Sequence, residues 1–218
     1  PKELGGGGAS MLLQAVAQEQ TGRVTNALGW RFSNVQKWMV KACSPHQIET
    51  WVKPLIADKR HECYAITEAE AGSDVDAIQA TARRDGSHYV LNGEKWHVTS
   101  GNLADVIIFQ AKLADGPNAG AHCLFFVDSD TPGIEVVRSI PVFGFYGMPD
   151  RASEVKFRDV RVPVSNILLG EGRGFEIAQG RLGPGRIHHC MREIGRAERA
   201  LERMCRRTLS RVAFGKPV

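Results

Sequence analysis

Residues 64–74 read Tyr-Ala-Ile-Thr-Glu-Ala-Glu-Ala-Gly-Ser-Asp, and they decide the fold because the pattern of the chain changes here. The first four residues are typical of the end of a β-strand. The last three form a loop with free backbone amides and a serine hydroxyl. Such a nest suits a phosphate, and the Thr67 hydroxyl can donate to a ring nitrogen. An ordinary Thr/Ser/Asp turn is the alternative, and the residues alone leave both open.

Upstream of this stretch, apolar side chains recur at helical spacing between residues 10 and 60, which predicts helices. Ser44-Pro45-His46-Gln47 is a helix start. The serine caps free amides, and the proline suits the first helical position. The glutamine, at the third position, can bond the backbone amide of the serine in return. The helix that follows is expected to bury four apolar side chains: Ile48, Trp51, Val52 and Leu55.

Downstream, residues 61–162 consist of short runs rich in Val, Ile, Tyr and Phe, separated by turn residues, which predicts an all-β domain. The predicted strands are Ala77–Arg84, Ser87–Leu91, Val106–Lys112, His122–Asp128, Ile134–Ser139 and Ser153–Phe157. The predicted tight turns are Asp85-Gly86, Asn92-Gly93, Asp115-Gly116-Pro117 and Thr131-Pro132-Gly133. Connections this short favour antiparallel neighbours, and therefore a barrel or sandwich.

After Pro163 the pattern is helical again. Phe175 to Leu182 predicts one helical segment, and apolar residues recur at three- and four-residue spacing from Ile187 to Thr208. Gly183-Pro184-Gly185 lies between the two segments, and its proline should bend or interrupt the helix. Two cysteines, Cys190 and Cys205, fall on the apolar stripe and are expected to be core thiols.

Composition and charge exclude several classes of protein. Hydrophobic residues make up 43% and charged residues 24%, as in ordinary globular chains, and no run approaches the roughly 20 apolar residues of a membrane helix. The net charge is +4, and residues 181–218 hold ten Lys or Arg against three Glu. This basic helix indicates a solvated face or a site for phosphates. It favours nucleic-acid binding less, because few aromatic residues are interleaved.

Metal and disulfide sites are not expected either. The five cysteines form no CxxC pair, which favours reduced thiols inside a cell. His188-His189 lacks other ligands at suitable spacing, because adjacent helical residues diverge by about 100°. A chain that opens on Pro1 and stops after a long helical pattern at Val218 reads as a fragment at both ends.

A second stretch, Asn92-Gly93-Glu94-Lys95-Trp96-His97-Val98-Thr99-Ser100-Gly101, adds to the first. The two stretches resemble the two flavin signatures of the acyl-CoA dehydrogenase family, Y-x-x-T-E-P-x-A-G-S-D and N-G-x-K-x-W-I-T-N-G. Further similar segments follow in order, namely Asp130–Ile134, Val160–Pro163, Asn166–Leu168, Gly172–Phe175 and Arg211–Lys216. The segment after Gly172 most resembles the branch that in animals is fused to a kinase-like domain and acts on long acyl or 4-hydroxyacyl chains.

The resemblance implies an α+β fold. Residues 1–60 would be the end of an N-terminal helical domain, and residues 61–165 a middle domain built as an antiparallel β-barrel or sandwich. Residues 166–218 would be the first helix region of a C-terminal helical bundle. This division agrees with the change of period along the chain, which is an independent observation.

Residue by residue, the resemblance implies an FAD site. Thr67 would lie near the pyrimidine edge and Thr99 would donate to flavin N5, while Arg211 would reach the FAD pyrophosphate of a neighbouring subunit. The cofactor-binding set is Tyr64, Ile66, Thr67, Gly72, Ser73, His97, Val98, Thr99 and Arg211. The acyl-CoA-binding set is Ser73, Gly183, Pro184, Gly185 and Arg186, and the charge of Arg186 suits a phosphate-bearing ligand. An unspecialised arginine on a basic helix is the alternative for Arg211.

Two departures from the family pattern bear on the flavin. Ala69 replaces the proline after Thr-Glu, which loosens the turn but removes no ligand atom. His97 replaces a tryptophan that covers the flavin edge, and Trp96 stands one place earlier. On a regular strand neighbouring side chains point to opposite faces, so Trp96 is not expected to substitute.

The implied activity is α,β-dehydrogenation of an acyl-CoA thioester, with hydride transfer to flavin N5 and electron-transfer flavoprotein as the acceptor. The family's catalytic glutamate falls beyond this sequence, and an alternative position for the base is filled by Gly185. No catalytic residue and no metal ligand are therefore predicted.

The alternatives are a non-catalytic FAD- or acyl-CoA-binding remnant, and a flavin oxidase or monooxygenase on the same fold. A homodimer or homotetramer is expected at full length. The implied compartment is the cytoplasm of a bacterium, or the mitochondrion or peroxisome of a eukaryote.

Overall fold

A computed structural model describes residues 2–24, 37–144 and 151–218. The helices are α1 (Met11–Gly22), α2 (Lys37–Ala42), α3 (Pro45–Gln47), α4 (Lys53–Ile56) and α5 (Gly174–Ser210). The strands are β1 (Glu62–Ala65), β2 (Thr81–Asp85), β3 (His88–Thr99), β4 (Val106–Leu113), β5 (His122–Asp128), β6 (Ile134–Ser139), β7 (Ala152–Pro163), β8 (Val212–Ala213) and β9 (Lys216–Pro217). Contacts divide the chain into two compact units, one of Pro1–Asn34 with Gly180–Val218 and one of Val35–Gln179.

The helical layer of the 35–179 unit begins at the predicted cap. Ser44 Oγ accepts from the Gln47 amide at 3.2 Å, and the Ser44 amide donates to Gln47 Oε1 at 2.9 Å, so both halves of the capping box form. The Gln47 side-chain amide also donates to the carbonyls of Ser165 and Ile167. A π-helical turn, Ile48–Val52, joins α3 to α4. Trp51, Val52 and Leu55 are buried as expected, and Ile48 is half-buried.

Seven strands form one mixed sheet in the order β1-β4-β2-β3-β7-β6, with β5 paired to β4. The hairpin neighbours β2–β3 and β4–β5 are antiparallel, as the short connections predict. β1 and β2 nevertheless run parallel to β4. Neither of these pairs is joined by a short turn, because the strands in them are not consecutive along the chain.

Asn92-Gly93 is not the predicted tight turn, because β3 continues through it. β7 carries an extra residue between the pairs Leu91↔Val160 and Gly93↔Phe157, and Asp159 there has φ of +50°. The Asn92 side chain holds this bulge, accepting from the Asp159 amide at 2.9 Å and donating to its carboxylate. A Cβ on Gly93 would lie 2.5 Å from the Ala80 Cβ. The glycine is therefore required by close approach of the backbone to Ala80, the residue before β2.

The predicted strand Ala77–Arg84 is also shorter than expected. Val75–Ala77 is a 3-10 turn, and pairing begins only at Thr81. Asp74 caps that turn, since its carboxylate accepts from the Asp76 amide at 3.1 Å. Local side-chain hydrogen bonding of this kind competes with strand formation.

Two apolar clusters hold the 35–179 unit together. One lies inside the curled sheet, where Phe109 packs on Phe157 with ring centroids 4.2 Å apart. The other lies between the sheet and the helices, where Trp51 stacks on Phe126 at 4.9 Å. Both faces of β4 and β5 are covered, so consecutive side chains along them are buried.

The other unit pairs α1 with the later part of α5. A Cβ on Gly22 would overlap the Arg192 carbonyl oxygen, and one on Gly195 would overlap that of Glu19. The two helices therefore approach closely through glycines. Arg23 after α1 bonds Glu198 at 2.7 Å and Glu202 at 3.1 Å.

α5 is continuous for 37 residues with Pro184 inside it. Of the two effects predicted for Gly183-Pro184-Gly185, an interruption is therefore wrong, and a bend stays a prediction. An interior proline removes only one intrahelical bond, and the rest of the ladder carries the helix through. The apolar stripe predicted on this helix is exposed here, with Ile194 at 46% and Leu201 at 62%. Cys190 and Cys205 are exposed as well, so they are not core thiols in the described residues. The buried face is instead that of Arg192 and Gly195.

Candidate functional site

A buried ion pair joins the two sequence stretches that resemble flavin signatures. Lys95 is 0% exposed, and its Nζ lies 2.8 Å from Glu68 Oε1 and 3.0 Å from the Ile66 carbonyl oxygen. The Glu68 carboxylate also accepts from the backbone amides of Gln79 at 2.6 Å and Ala80 at 3.0 Å. The Glu68 side chain of the first stretch thus fixes the Lys95 side chain of the second stretch. It also fixes the two residues that precede β2.

Burial lowers the pKa of the Lys95 ammonium to about 8, although Glu68 opposes this shift through its hydrogen bond and charge. The ammonium also lies 5.3 Å from the centroid of the Phe109 ring. Glu68 and the Ile66 carbonyl are the hydrogen-bond partners of this ammonium among the described residues, and desolvation outweighs their attraction.

A β-bulge lies at Trp96 and His97. Lys95 pairs with Val155 and Val98 with Ser153, so β3 has one residue more than β7, and His97 has φ of +51°. The Trp96 amide donates to the Thr67 carbonyl at 2.7 Å, which brings the second stretch beside the first. Regular alternation of side chains does not hold at these two residues, because a bulge re-aims them. That Trp96 does not take the place of the covering tryptophan stays a prediction.

Trp96 is half-buried and packs against two groups. Its ring lies 5.6 Å from the His97 ring centroid, edge to face, and the Arg138 guanidinium carbon lies 5.6 Å from it on the β6 side. Arg138 is held in turn by Glu154 at 2.6 Å. His97 itself is exposed, so the histidine and not the tryptophan presents its ring to solvent here.

Three hydroxyls belong to the candidate site. Thr67 is half-buried, and Ser73 and Thr99 are exposed. Within residues 2–24, 37–144 and 151–218, none of the three side chains has a hydrogen-bond partner. Gly72, next to Ser73, has no atom within 4 Å of the position of an added Cβ. The site therefore offers hydroxyl donors and an open backbone to a ligand.

The loop that carries Gly72 and Ser73 is anchored at both ends. Glu68 and Ala71 exchange two backbone hydrogen bonds, at 3.0 and 3.2 Å. On the other side, the Asp76 carboxylate bonds His122 Nε2 at 3.0 Å, and the Lys112 ammonium donates to the Asp76 carbonyl. The amides between these anchors are held in place without a ligand.

The other predicted residues of this unit contribute in different ways. Tyr64 is half-buried with its ring edge-on to Trp38 at 6.4 Å, and its hydroxyl donates to Gln110. Ile66 offers Lys95 its carbonyl. Val98 is 1% exposed inside the sheet cluster, so only its backbone can reach a ligand.

The remaining predicted residues lie in the other unit. Gly183, Pro184 and Gly185 are half-buried on α5, and nothing lies within 4 Å of a Cβ added to either glycine. Arg186 is exposed on the same helix. Arg211 is exposed at the start of the β8–β9 hairpin, where its amide bonds the Arg207 carbonyl and its carbonyl accepts from the Val218 amide.

The described parts of the chain hold neither a metal-ligating cluster nor a helix suited to span a membrane. No cluster of three metal-ligating side chains occurs there. His189 Nδ1 instead lies 3.0 Å from an Arg192 nitrogen. No described helix is both long and apolar enough to cross a membrane.

Sequence reasoning missed the pairing of Glu68 with Lys95 and the roles of Gln110 and His122. A charge in the middle of a strand was the available signal for Lys95. For Gln110 it was one amide within the apolar run Val106–Leu113. Neither signal identifies the partner, because the partners are 27 and 12 residues away along the chain.

Two family profiles match the chain. "Acyl-CoA dehydrogenase, middle domain" matches residues 63–160, and "Acyl-CoA dehydrogenase, C-terminal domain" matches residues 172–218. The fold is thus the mixed helix and sheet architecture of a flavoenzyme family, with a curled sheet between helical segments. The chain belongs to the acyl-CoA dehydrogenase family, and both the family and the fold class predicted from sequence are confirmed.

Individual proteins of known sequence or structure show the same family likeness. Acyl-CoA dehydrogenase family member 11 of Gallus gallus is 47% identical over 176 residues, which is 78% of this chain and 23% of that protein. A putative acyl-CoA dehydrogenase from Mycobacterium abscessus is 42% identical with a TM-score of 0.87, over 99% of this chain and 55% of that chain. The prolyl acyl carrier protein oxidase AnaB is 27% identical with a TM-score of 0.89, over 100% and 58%. The chain therefore spans less than a quarter of the chicken relative and somewhat more than half of the solved chains.

Proposed function

We propose that this chain is the FAD- and acyl-CoA-binding part of an acyl-CoA dehydrogenase. The observation that carries the proposal is the joining of the two signature stretches by the Glu68–Lys95 pair and the Trp96–Thr67 backbone bond. It brings the segments of Thr67 and Thr99 together with both hydroxyls available. The Gly72-Ser73 loop continues from the same segment.

The residues fit FAD. Hydroxyl donors at Thr67 and Thr99 suit the polar edge of an isoalloxazine ring, and the open amides near Gly72 and Ser73 suit phosphates. Tyr64, Ile66, His97 and the Val98 backbone complete the binding set in this unit, and Arg211 is proposed for the pyrophosphate of a neighbouring subunit. Bound FAD would supply the hydride acceptor at N5 for α,β-dehydrogenation of an acyl-CoA.

For the thioester ligand, the proposed residues are Ser73 and the segment Gly183–Arg186. The openness around both glycines leaves room for an acyl chain, and the exposed Arg186 can meet a phosphate. No catalytic base is assigned among these residues. The domain boundaries at 60/61 and 165/166, electron-transfer flavoprotein as acceptor, a homo-oligomer and an intracellular location are part of the same proposal.

Replacing the two hydroxyls tests the flavin site. Thr67→Val and Thr99→Val keep the side-chain shape and remove one donor each. Loss of a hydrogen bond to a buried ligand should weaken FAD binding or slow flavin reduction by roughly tenfold. FAD affinity is measured by titration of flavin fluorescence and reduction by stopped flow. Thr131→Val, in a turn away from the site, is the matched control. Unchanged affinity and reduction rate in both variants would refute the roles of these hydroxyls.

An oxidase is the second candidate, because the structural similarity extends to an oxidase, AnaB, and His97 stands where a covering tryptophan is usual. The reaction of the reduced flavin with oxygen separates the two. Slow reoxidation in air together with fast reoxidation by electron-transfer flavoprotein supports the dehydrogenase. A non-catalytic remnant would bind FAD and an acyl-CoA without reducing the flavin.

A further inference from the structure

A continuous line of hydrogen-bonded side chains joins the two ends of the segment Tyr64–Asp76, which contains the proposed flavin-binding loop. The Tyr64 hydroxyl lies 3.3 Å from Gln110 Oε1, Gln110 Nε2 lies 3.0 Å from His122 Nδ1, and His122 Nε2 lies 3.0 Å from Asp76 Oδ1. Its two ends are Tyr64 in β1 and Asp76 in the 3-10 turn. The residues between them along the chain include Thr67, Gly72 and Ser73.

The two middle members of this line are buried among apolar residues. Gln110 is 0% exposed and His122 is 8% exposed, and the His122 ring packs on Phe175 at 5.8 Å. Buried polar atoms cost free energy unless they are hydrogen-bonded, and fully satisfied networks fix one arrangement of their members. The line is therefore a rigid connection between β1 and the 3-10 turn.

The direction of each hydrogen bond follows from its neighbour. An ionised Asp76 carboxylate only accepts, so His122 carries its proton on Nε2 and accepts at Nδ1. Gln110 must then turn its NH₂ group to His122, which leaves its carbonyl oxygen to accept from the Tyr64 hydroxyl. The orientation of the Tyr64 hydroxyl is thus set from the far end, by Asp76.

We propose that His122 is a positioning residue for flavin binding: through Gln110 it orients Tyr64, and through Asp76 it holds the loop with Gly72 and Ser73. This inference rests on the proposed FAD site. A loop that is already in its binding conformation loses less entropy when the ligand binds, so the contribution of His122 appears in affinity.

The arrangement requires a neutral imidazole, because a protonated Nδ1 would face the NH₂ group of Gln110. The charged groups that face His122 are Asp76, Lys112 from β4 and Lys95 from β3. Burial lowers the pKa of His122, and the two lysines act in the same direction, while Asp76 opposes them. The neutral form is therefore the one present at pH 7, and FAD affinity should fall only in acid, at a pH below the ordinary pKa of a histidine.

Two substitutions at position 122 separate the network from packing. The side-chain amide in His122→Gln offers an acceptor and a donor side by side, as the neutral imidazole does, whereas His122→Leu fills similar space without either. We expect His122→Leu to weaken FAD binding about tenfold and His122→Gln to stay within about threefold of the unmodified protein. Adding Tyr64→Phe to His122→Leu should cost less affinity than Tyr64→Phe costs alone, because part of its effect acts through the same network. The decline in affinity at low pH should be absent from both His122 variants.

The outcomes distinguish this inference from the proposed function. If the unmodified protein binds FAD and His122→Leu binds it equally well, the positioning role is wrong and the FAD site stands. If His122→Gln and His122→Leu weaken FAD binding equally, packing and not the network is responsible. If the unmodified protein binds no FAD, the proposed function itself fails. Nitrogen-15 NMR of the unmodified protein at pH 7.5 gives a test independent of variant folding, because a proton on Nδ1 of His122 would overturn the inference.

Discussion

Lys95→Met should change how the stability of the protein depends on pH. Burial lowers the pKa of Lys95 from 10.5 to about 8. Between these values the unfolded chain binds more protons than the folded one, so the free energy of unfolding rises with pH. A difference of about 2.5 pKa units corresponds to about 3 kcal/mol. The unmodified protein should therefore gain roughly 2 to 3 kcal/mol over Lys95→Met between pH 7 and pH 10.

The assay is urea unfolding followed by tryptophan fluorescence at pH 7, 8, 9 and 10. Comparison with Lys95→Met cancels the contributions of other groups whose pKa differs between the folded and the unfolded chain. Lys53→Met, which removes a lysine paired with Glu49 on an exposed helix surface, is the control for loss of charge. A stability difference between the unmodified protein and Lys95→Met that stays constant from pH 7 to 10 would refute the reasoning.

Replacing Glu68, the partner of Lys95, should cost more stability at pH 7 than replacing Lys95 itself. Glu68→Gln leaves a buried ammonium without its carboxylate and should cost about 3 to 5 kcal/mol at pH 7. Lys95→Met should cost less at that pH, because the Glu68 carboxylate keeps the amides of Gln79 and Ala80. The double variant should be more stable than Glu68→Gln alone. Equal losses in both single variants would contradict this asymmetry.

Two further substitutions test the packing. Gly195→Ala should destabilise the protein by about 1 to 3 kcal/mol, because the added methyl group overlaps the Glu19 carbonyl. Gly185→Ala lies on the same helix where the space is open, and it should stabilise the protein by up to about 1 kcal/mol. Thermal melts of both check this, and a loss for Gly185→Ala as large as that for Gly195→Ala would contradict it. Tyr89→Phe breaks the 2.6 Å bond to Glu171 and should cost about 1 to 2 kcal/mol in urea unfolding, and no measurable loss would show that this bond adds nothing.

The sequence predicts the helical layer and most strands correctly, because their signals are local. The Ser44 cap and the strand Ile134–Ser139 appear as expected. The errors fall where distant residues decide. Asn92-Gly93 has the composition of a turn, but Ala80 and Asp159 make it part of a strand. α5 continues through Pro184, although local rules predict a bend or a break.

For the candidate site, the sequence predicts which segments matter but not their geometry. The bulge at Trp96 and His97 depends on pairing with β7, which lies about 57 residues further along the chain. The partners of Lys95, Gln110 and His122 likewise come together only when the sheet closes. Exposure of the α5 stripe could not be predicted, because helical spacing identifies an apolar face without saying which element covers it.

The side-chain amide of Gln47 has a consequence for the order of folding during synthesis. Its two acceptors, the carbonyls of Ser165 and Ile167, lie 118 and 120 residues later in the chain. At 5 to 20 residues per second, the ribosome needs roughly 6 to 24 s to make that interval. The helix that begins at Pro45 is complete long before these acceptors exist. Its apolar face, with Trp51 and Leu55, packs on strands that are made after it, Phe126 among their residues. The Gln47 bonds form later still, and until these partners are made a chaperone would be most useful to this chain.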